Sequence, residues 1–346
     1  MHDRTLEGWC AAKIGSQGSR LEPDELAEYQ LARLRKTLQM ARERSPFYRH
    51  HLAAAPQELP GLQDLHVLPF TTAQDIREQG LQFVCVSQDA IRRVVTLDSS
   101  GTTGSPKRLY FTQADQELTI DFFRAGMATF ADPGDRVLIL LPGETPGSVG
   151  DLLEIALERM GAQPIKHGLV RDVGETLQVM GQERVDGVIG VPYQVHALAA
   201  YGPEIKLKHA LLTTDHVPNA IVKAVENAWG CAVYNHYGMT EMGLGGGVDC
   251  DAHRGYHLRE ADLLFEIVDP ATGLVVPEGT YGEVVFTTLT RTGMPLIRYR
   301  TGDLVRVATS PCRSGRMLMH GKSRAYRCPR PDSRQLAARL CKAAAA

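Results

Sequence analysis

The residue order predicts an α/β fold: a mostly parallel, helix-covered sheet followed by a β-rich subdomain. Two observations carry this. From about residue 80 to 235, short apolar runs alternate with helical stretches, the pattern of parallel strands joined by helical crossovers. After residue 245 strand-like runs follow one another across turn-rich segments with no helix between them. The 346 residues allow two domains or one large body.

Taken in order, the first periodic signal is at residues 24–44. Ala27, Leu31, Leu34, Leu38 and Ala41 recur at spacings of four and three, which predicts one apolar helix face. Ser45-Pro46 ends that helix, because the residue before proline disfavours the helical region. Strands are expected at Arg92–Leu97, Arg136–Leu141, Gly187–Val191, Ala210–Thr213 and Ala232–Tyr234. Helices are expected near 113–130, 150–161, 172–183, 193–201 and 217–228. Leu263–Val268 and Gly282–Thr288 read as strands, with the turn-rich Asp269-Pro-Ala-Thr-Gly273 between them. The expected organisation is an N-terminal helical segment packed on the main body (1–80), an α/β core (81–245), a β-rich subdomain (246–322) and a short tail (323–346).

Composition excludes several classes. Hydrophobic residues make up 43% and charged residues 23%, as in soluble globular proteins. Thirty-eight Lys and Arg against 40 Asp and Glu give a net charge of −2, which argues against a nucleic-acid binder acting through a basic field. There is no apolar run long enough to span a membrane, and MHDRTLEGWC lacks the basic-then-apolar order of a secretory signal. The 7 cysteines are scattered and odd in number, so a disulfide framework is not expected and a cytoplasmic setting is.

The most informative stretch is Asp98-Ser-Ser-Gly-Thr-Thr-Gly-Ser-Pro-Lys107. Ser99, Ser100, Thr102 and Thr103 supply hydroxyls, Gly101 and Gly104 let the backbone bend around an anion, and Lys107 supplies a point charge. The loop follows a strand-like run and is read as preceding a helical one. This is phosphate-cradle chemistry, but not the P-loop, which has four residues between its glycines and lysine directly after the second.

That loop resembles the signature loop of the adenylate-forming enzymes. Two further segments, in the expected order, are similar to the same family: Tyr237-Gly-Met-Thr-Glu241 and Arg298-Tyr-Arg-Thr-Gly-Asp303. ARERSPFYRHHL (41–52), LPFTTAQDIRE (68–78) and the 255–303 stretch resemble the phenylacetate–CoA ligase branch. The resemblance implies the large N-terminal domain of an adenylate-forming enzyme. It implies ATP-dependent adenylation of a carboxylic acid, aromatic in this branch, with transfer to CoA or another thiol or amine acceptor.

Roles follow by resemblance. Ser99, Ser100, Gly101, Thr102, Thr103, Gly104 and Lys107 would hold the outer phosphates. Tyr237 would stack on adenine and Thr240 donate to the α-phosphate. Glu241 would help to hold Mg²⁺, and Asp303 would accept both ribose hydroxyls. Pro192, Tyr193, His236 and Met239 are candidate linings of the acid pocket. Some members of the branch bind a structural Zn²⁺ through a Cys, a His seven residues on, and a later Cys-x-Cys-Gly-Arg. Here these are Cys250, His257 and Cys312-Arg-Ser-Gly-Arg316, with Ser314 in place of the second cysteine and His253 as a candidate fourth ligand.

The resemblance also implies a small C-terminal domain beyond a Gly-Arg-x-Asp-Asp hinge. Here the hinge reads Gly321-Lys-Ser-Arg-Ala325, and Lys322 keeps the charge without the bidentate fork. Too few residues follow to build that domain, so it is expected to be absent. The alternative reading is a catalytically weakened nucleotide- or acyl-adenylate-binding protein, or a subunit needing a separate C-terminal domain. Other expected partners are a carrier protein or a second copy of the chain; nucleic acid and membrane are not expected.

Overall fold

The computed structural model describes residues 5–16, 21–97, 106–307 and 318–321. It opens with α1 (Leu6–Ile14), α2 (Pro23–Arg44) and α3 (Pro46–His51). Ser45 ends α2 and caps α3 by accepting from the Tyr48 N–H. The helix at 24–44 is as expected, but its inner face is shifted in the first half. Leu26 and Gln30 are buried in place of Ala27 and Leu31. Gln30 tolerates burial because its amide donates to the Glu260 carbonyl at 2.9 Å. Next comes α4 (Ala73–Gln79), started by a reciprocal Thr72–Asp75 capping box.

The first departure from expectation follows. Strand β1 (Ile91–Leu97) is not part of a parallel sheet. It pairs antiparallel with β2 (Lys107–Thr112) in a separate two-stranded ribbon. The glycine-rich loop therefore precedes a strand rather than a helix. Leu97 is paired with Lys107, so the loop joins the two strands of a hairpin and Lys107 stands at its mouth. The physical reason is local: KRLYFT is apolar and β-prone enough to pair back on its neighbour before a helix starts. That helix, α5 (Gln113–Met127), begins at a Thr112–Asp115 capping box.

Alternation then proceeds through β3 (Arg136–Leu140), α6 (Val149–Met160), β4 (Gln163–Lys166) and α7 (Val173–Gln182). It continues through β5 (Gly187–Gly190), α8 (Pro192–Tyr201), β6 (His209–Leu212), α9 (Asn219–Trp229) and β7 (Ala232–Tyr237). Strand β4 was not anticipated, since QPIK is short and carries a proline. It is tolerated as an edge strand. The rest are β8 (Gly247–Val248), β9 (Tyr256–Leu258), β10 (Leu263–Val268), β11 (Tyr281–Thr288), β12 (Tyr299–Val307) and β13 (Leu318–Gly321).

The main sheet runs β10-β11-β12-β13-β9-β8-β7-β6-β5-β3-β4. From β7 to β4 every pairing is parallel, and from β7 to β10 every pairing is antiparallel. The parallel half is buried on both faces. Val137, Ile139, Ile189, Leu211 and Tyr234 pack with α5 and α6, while Leu138, Leu140, Val188, Ala210 and Val233 pack with α8 and α9. Alternate residues of one strand thus serve opposite cores, which explains its continuous apolar runs. A third core joins α2, α3 and β2 to the antiparallel strands. Among the described residues no helix is long and apolar enough to cross a membrane.

One buried pair ties the N-terminal segment to the antiparallel half. Arg298, 1% exposed, makes a two-pronged contact with Glu266 at 3.0 and 2.9 Å. It also donates to the Leu68 carbonyl at 2.7 Å and lies over the Phe70 ring. Thr71 completes the seam, donating its N–H to Arg298 O and accepting from Arg300 N. Substituting Arg298→Ala leaves Glu266 buried and uncompensated. It should lower the unfolding free energy by about 3–5 kcal/mol, measured by urea denaturation.

Candidate active site

The parallel-to-antiparallel switch at β7 carries the functional side chains. Gly238 follows the strand where a Cβ would come 2.5 Å from Leu244 O, so only glycine permits the close turn. Residues 240–242 then form a single 3-10 turn, closed by Gly243 at φ 73°. This turn sets Glu241 inward, 3% exposed.

Glu241 is where separate segments converge. Lys107, at the hairpin mouth, forms an ion pair with its Oε1. Tyr299, from β12, donates its hydroxyl to the same oxygen at 2.9 Å. Arg291 donates to the Glu241 carbonyl at 2.9 Å and to the Tyr110 carbonyl at 3.2 Å. Burial and the Glu241 carboxylate both raise the Tyr299 hydroxyl far above its ordinary range, so it stays a donor.

Asp115 braces this arrangement from behind. Besides capping α5 it accepts from Thr292 N at 2.9 Å and Gly293 N at 3.2 Å. It thereby fixes the loop that carries Arg291. A Cβ at Gly293 would come 2.4 Å from Asp115 Oδ2, so the approach needs glycine.

Alongside, the Tyr237 hydroxyl donates to Asp303 Oδ2 at 3.1 Å. Burial, then Asp303, push the Tyr237 hydroxyl well above its ordinary range and keep it protonated. Asp303 follows Gly302, whose φ of 78° makes the turn in the strand, and its N–H donates to Thr301 Oγ1 at 3.0 Å. The hydroxyl of Thr240 makes no hydrogen bond among the described residues.

Lys107, Tyr237, Thr240, Glu241 and Asp303 therefore gather at one place, supplied by the hairpin, β7 with its following turn, and β12. Met239 packs beside them against the antiparallel core. His236 lies one residue before Tyr237, with Nδ1 2.9 Å from Thr213 Oγ1. Tyr193, in the first turn of α8, is 59% exposed. Ser99, Ser100, Gly101, Thr102, Thr103, Gly104, Lys322 and Cys312 lie outside the described residues.

Of the expected metal ligands, Cys250 and His257 are buried, and no three His, Cys, Asp or Glu side chains cluster for a metal among the described residues. His253 has its Nδ1 3.0 Å from Oδ2 of Asp249, the residue before Cys250. Tyr299 and Arg291 were not anticipated. Tyr299 lies inside a recognised segment, but only its reach to Glu241 reveals its part. Arg291 carries no local signal: an arginine beside TGMPLI reads as a surface charge.

Comparison with known proteins accords with this geometry. Residues 77–290, more than half of the chain, match the family described as AMP-binding enzyme. The phenylacetate–coenzyme A ligase of Thermus thermophilus is 32% identical over 317 residues, covering 86% of this chain and 69% of that protein. The enzyme of the same name from Pseudomonas putida is 30% identical, covering 85% and 70%. Among solved structures, 2-hydroxyisobutyryl-CoA ligase in complex with 2-HIB-AMP and CoA superposes with a TM-score of 0.78 at 25% identity, covering 88% of this chain and 68% of that one.

The half-buried imidazole of His236 makes a pH prediction. Burial pushes its pKa from 6.5 down to about 4. Above 6.5 both folded and unfolded states hold it neutral and its stability contribution is intact. Between 6.5 and about 4 only the unfolded state takes the proton, so stability falls as pH falls. The loss should be on the order of 3 kcal/mol, and it should shrink in His236→Gln, as read from melting temperatures across that range.

Proposed function

The chain belongs to the AMP-binding enzyme family, in its phenylacetate–CoA ligase-like branch, and on that premise we propose that it joins a carboxylic acid to AMP. The acid's oxygen attacks the α-phosphorus of ATP, pyrophosphate leaves, and a mixed anhydride forms. The acyl carbon, now carrying a good leaving group, is then open to the thiol of CoA, with AMP released. The observation that carries this reading is the convergence of Lys107 and Tyr299 on Glu241, with Tyr237 and Asp303 paired beside it.

Each side chain has a task in that chemistry. Lys107, with the Ser99–Gly104 loop ahead of it, holds the outer phosphates and offsets charge on the departing pyrophosphate. The Thr240 hydroxyl, without a partner among the described residues, donates to the α-phosphate. Tyr237 presents its ring to adenine, and Asp303 exchanges the tyrosine hydroxyl for those of ribose. Lys107 and Tyr299 both use Glu241 Oε1, which leaves the second carboxylate oxygen for Mg²⁺, a cation that favours oxygen ligands. When bound, that ion screens the triphosphate charge. The names of the relatives favour an aromatic acid such as phenylacetate and CoA as acceptor.

The test is carboxylate-dependent exchange of pyrophosphate into ATP across a panel of aromatic and short aliphatic acids. Exchange is expected with at least one acid. Glu241→Gln should lower the rate roughly 100-fold or more, and Asp303→Ala should act mainly by raising KM for ATP. ATP binding without exchange for any acid would favour a nucleotide-binding protein over an enzyme.

We extend the proposal to a structural Zn²⁺ held by Cys250, His257 and Cys312. The support is that His257 Nε2 is buried without a partner, and that His257 is paired with both Val248 and Leu318. The first of these neighbours precedes Cys250 by two residues, and the second follows the segment that carries Cys312. Elemental analysis of the purified chain should find stoichiometric zinc, and Cys250→Ser should lose it together with several degrees of melting temperature.

A further inference from the structure

His236 and Tyr237 are consecutive on β7, so their side chains leave opposite faces of the strand. Tyr237 reaches Asp303 on the nucleotide side. His236 therefore projects to the other side, at the carboxyl end of the parallel strands, where open α/β sheets take their ligands. Its ring is held in place. Nδ1 is 2.9 Å from the hydroxyl of Thr213, a buried residue directly after β6. The rings of Phe122 and Phe123 both lie near it, each with its centroid 6.2 Å away. Gly238 and Gly245 let the chain pass close by: a Cβ at Gly238 would come 2.8 Å from the imidazole Cε1, and one at Gly245 would come 3.1 Å from Nε2.

What the surroundings do not supply is a partner for Nε2. That atom is covered from solvent and makes no hydrogen bond among the described residues. An ordered, neutral imidazole with one nitrogen satisfied and the other empty, among aromatic rings, matches a site that reads one polar group on an otherwise apolar ligand. With Thr213 donating to Nδ1, Nε2 carries the proton and donates; with the reverse arrangement Nε2 accepts. A hydroxyl group answers either state, and an amino group answers the second.

We propose that His236 is a specificity residue of the acid pocket, and that the carboxylic acid carries a hydroxyl or amino group hydrogen-bonded to its Nε2. This rests on the adenylation reading above and narrows its substrate to hydroxy- or amino-substituted acids, with Phe122 and Phe123 favouring an aryl ring. Thr213 is the matching positioning residue, acting through the imidazole rather than on the acid.

The experiment compares benzoate and phenylacetate with their hydroxy and amino derivatives, using acid binding by calorimetry and pyrophosphate exchange side by side. Wild type should prefer at least one substituted acid over its parent by roughly 10-fold, the scale of one hydrogen bond. That ratio should collapse towards unity in His236→Leu and recover in part in His236→Gln, with the change in Kd and KM rather than kcat. Thr213→Val should lower the ratio in the same direction, and it carries the comparison should the leucine variant fail to fold. No preference in wild type, or a ratio unchanged in His236→Leu or Thr213→Val, overturns the role of His236. A preference in binding that depends on His236, without exchange, upholds that role and overturns adenylation. Neither binding nor exchange with any acid overturns both.

Discussion

A carboxylate buried to 3% exposure must be answered by charge and by donors, and Glu241 is answered from three directions. Lys107 comes from the ribbon, Tyr299 from the antiparallel half, and Arg291 from the loop that Asp115 pins to α5. Leaving any one out strands a polar group in a region that water does not reach. The requirement to satisfy this one residue, its carboxylate by Lys107 and Tyr299 and its backbone carbonyl by Arg291, therefore fixes the relative placement of three parts of the fold.

The second organising feature is β7, where the sheet changes from parallel to antiparallel pairing. Parallel strands to one side deliver loops and helix starts at their carboxyl ends. Antiparallel strands to the other side deliver β12, with Tyr299 and Asp303 along it. Because side chains alternate along a strand, Tyr237 reaches Asp303 and its predecessor His236 reaches Thr213 on the opposite side. Two distinct polar environments are thereby separated by a single peptide unit.

Much of this is legible in the residue order where the signal is local. Period-two and period-3.6 patterns placed the helices from 113 to 229 and most strands of the parallel half to within a few residues. The motif segments pointed to Lys107, Tyr237, Thr240, Glu241 and Asp303, which the fold then brings together. The misses have two causes: the hairpin is a local pairing hidden by the strand–helix pattern, and the buried polar residues depend on partners distant in sequence. Whether Ile91–Leu97 joins a parallel sheet or a hairpin depends on what KRLYFT pairs with. Whether Gln30 is buried depends on a carbonyl 230 residues away. Arg291 is buried because Glu241 and Tyr110 offer it carbonyls, and nothing in its neighbours announces that.

The seam around Arg298 has a consequence for how the chain reaches this state. Arg298 joins Leu68 across 230 residues, and Lys13 joins Asp262 across 249. During synthesis the N-terminal helices leave the ribosome long before either partner exists. Their apolar faces, Leu34, Leu38 and Phe47 among them, have little of their final core to cover them until the antiparallel strands are made. The parallel half, built from neighbouring βα units, has its contacts available much earlier. Folding should therefore begin in the middle of the chain and close over its beginning last, with the exposed amphipathic helices as the segment most in need of chaperone cover.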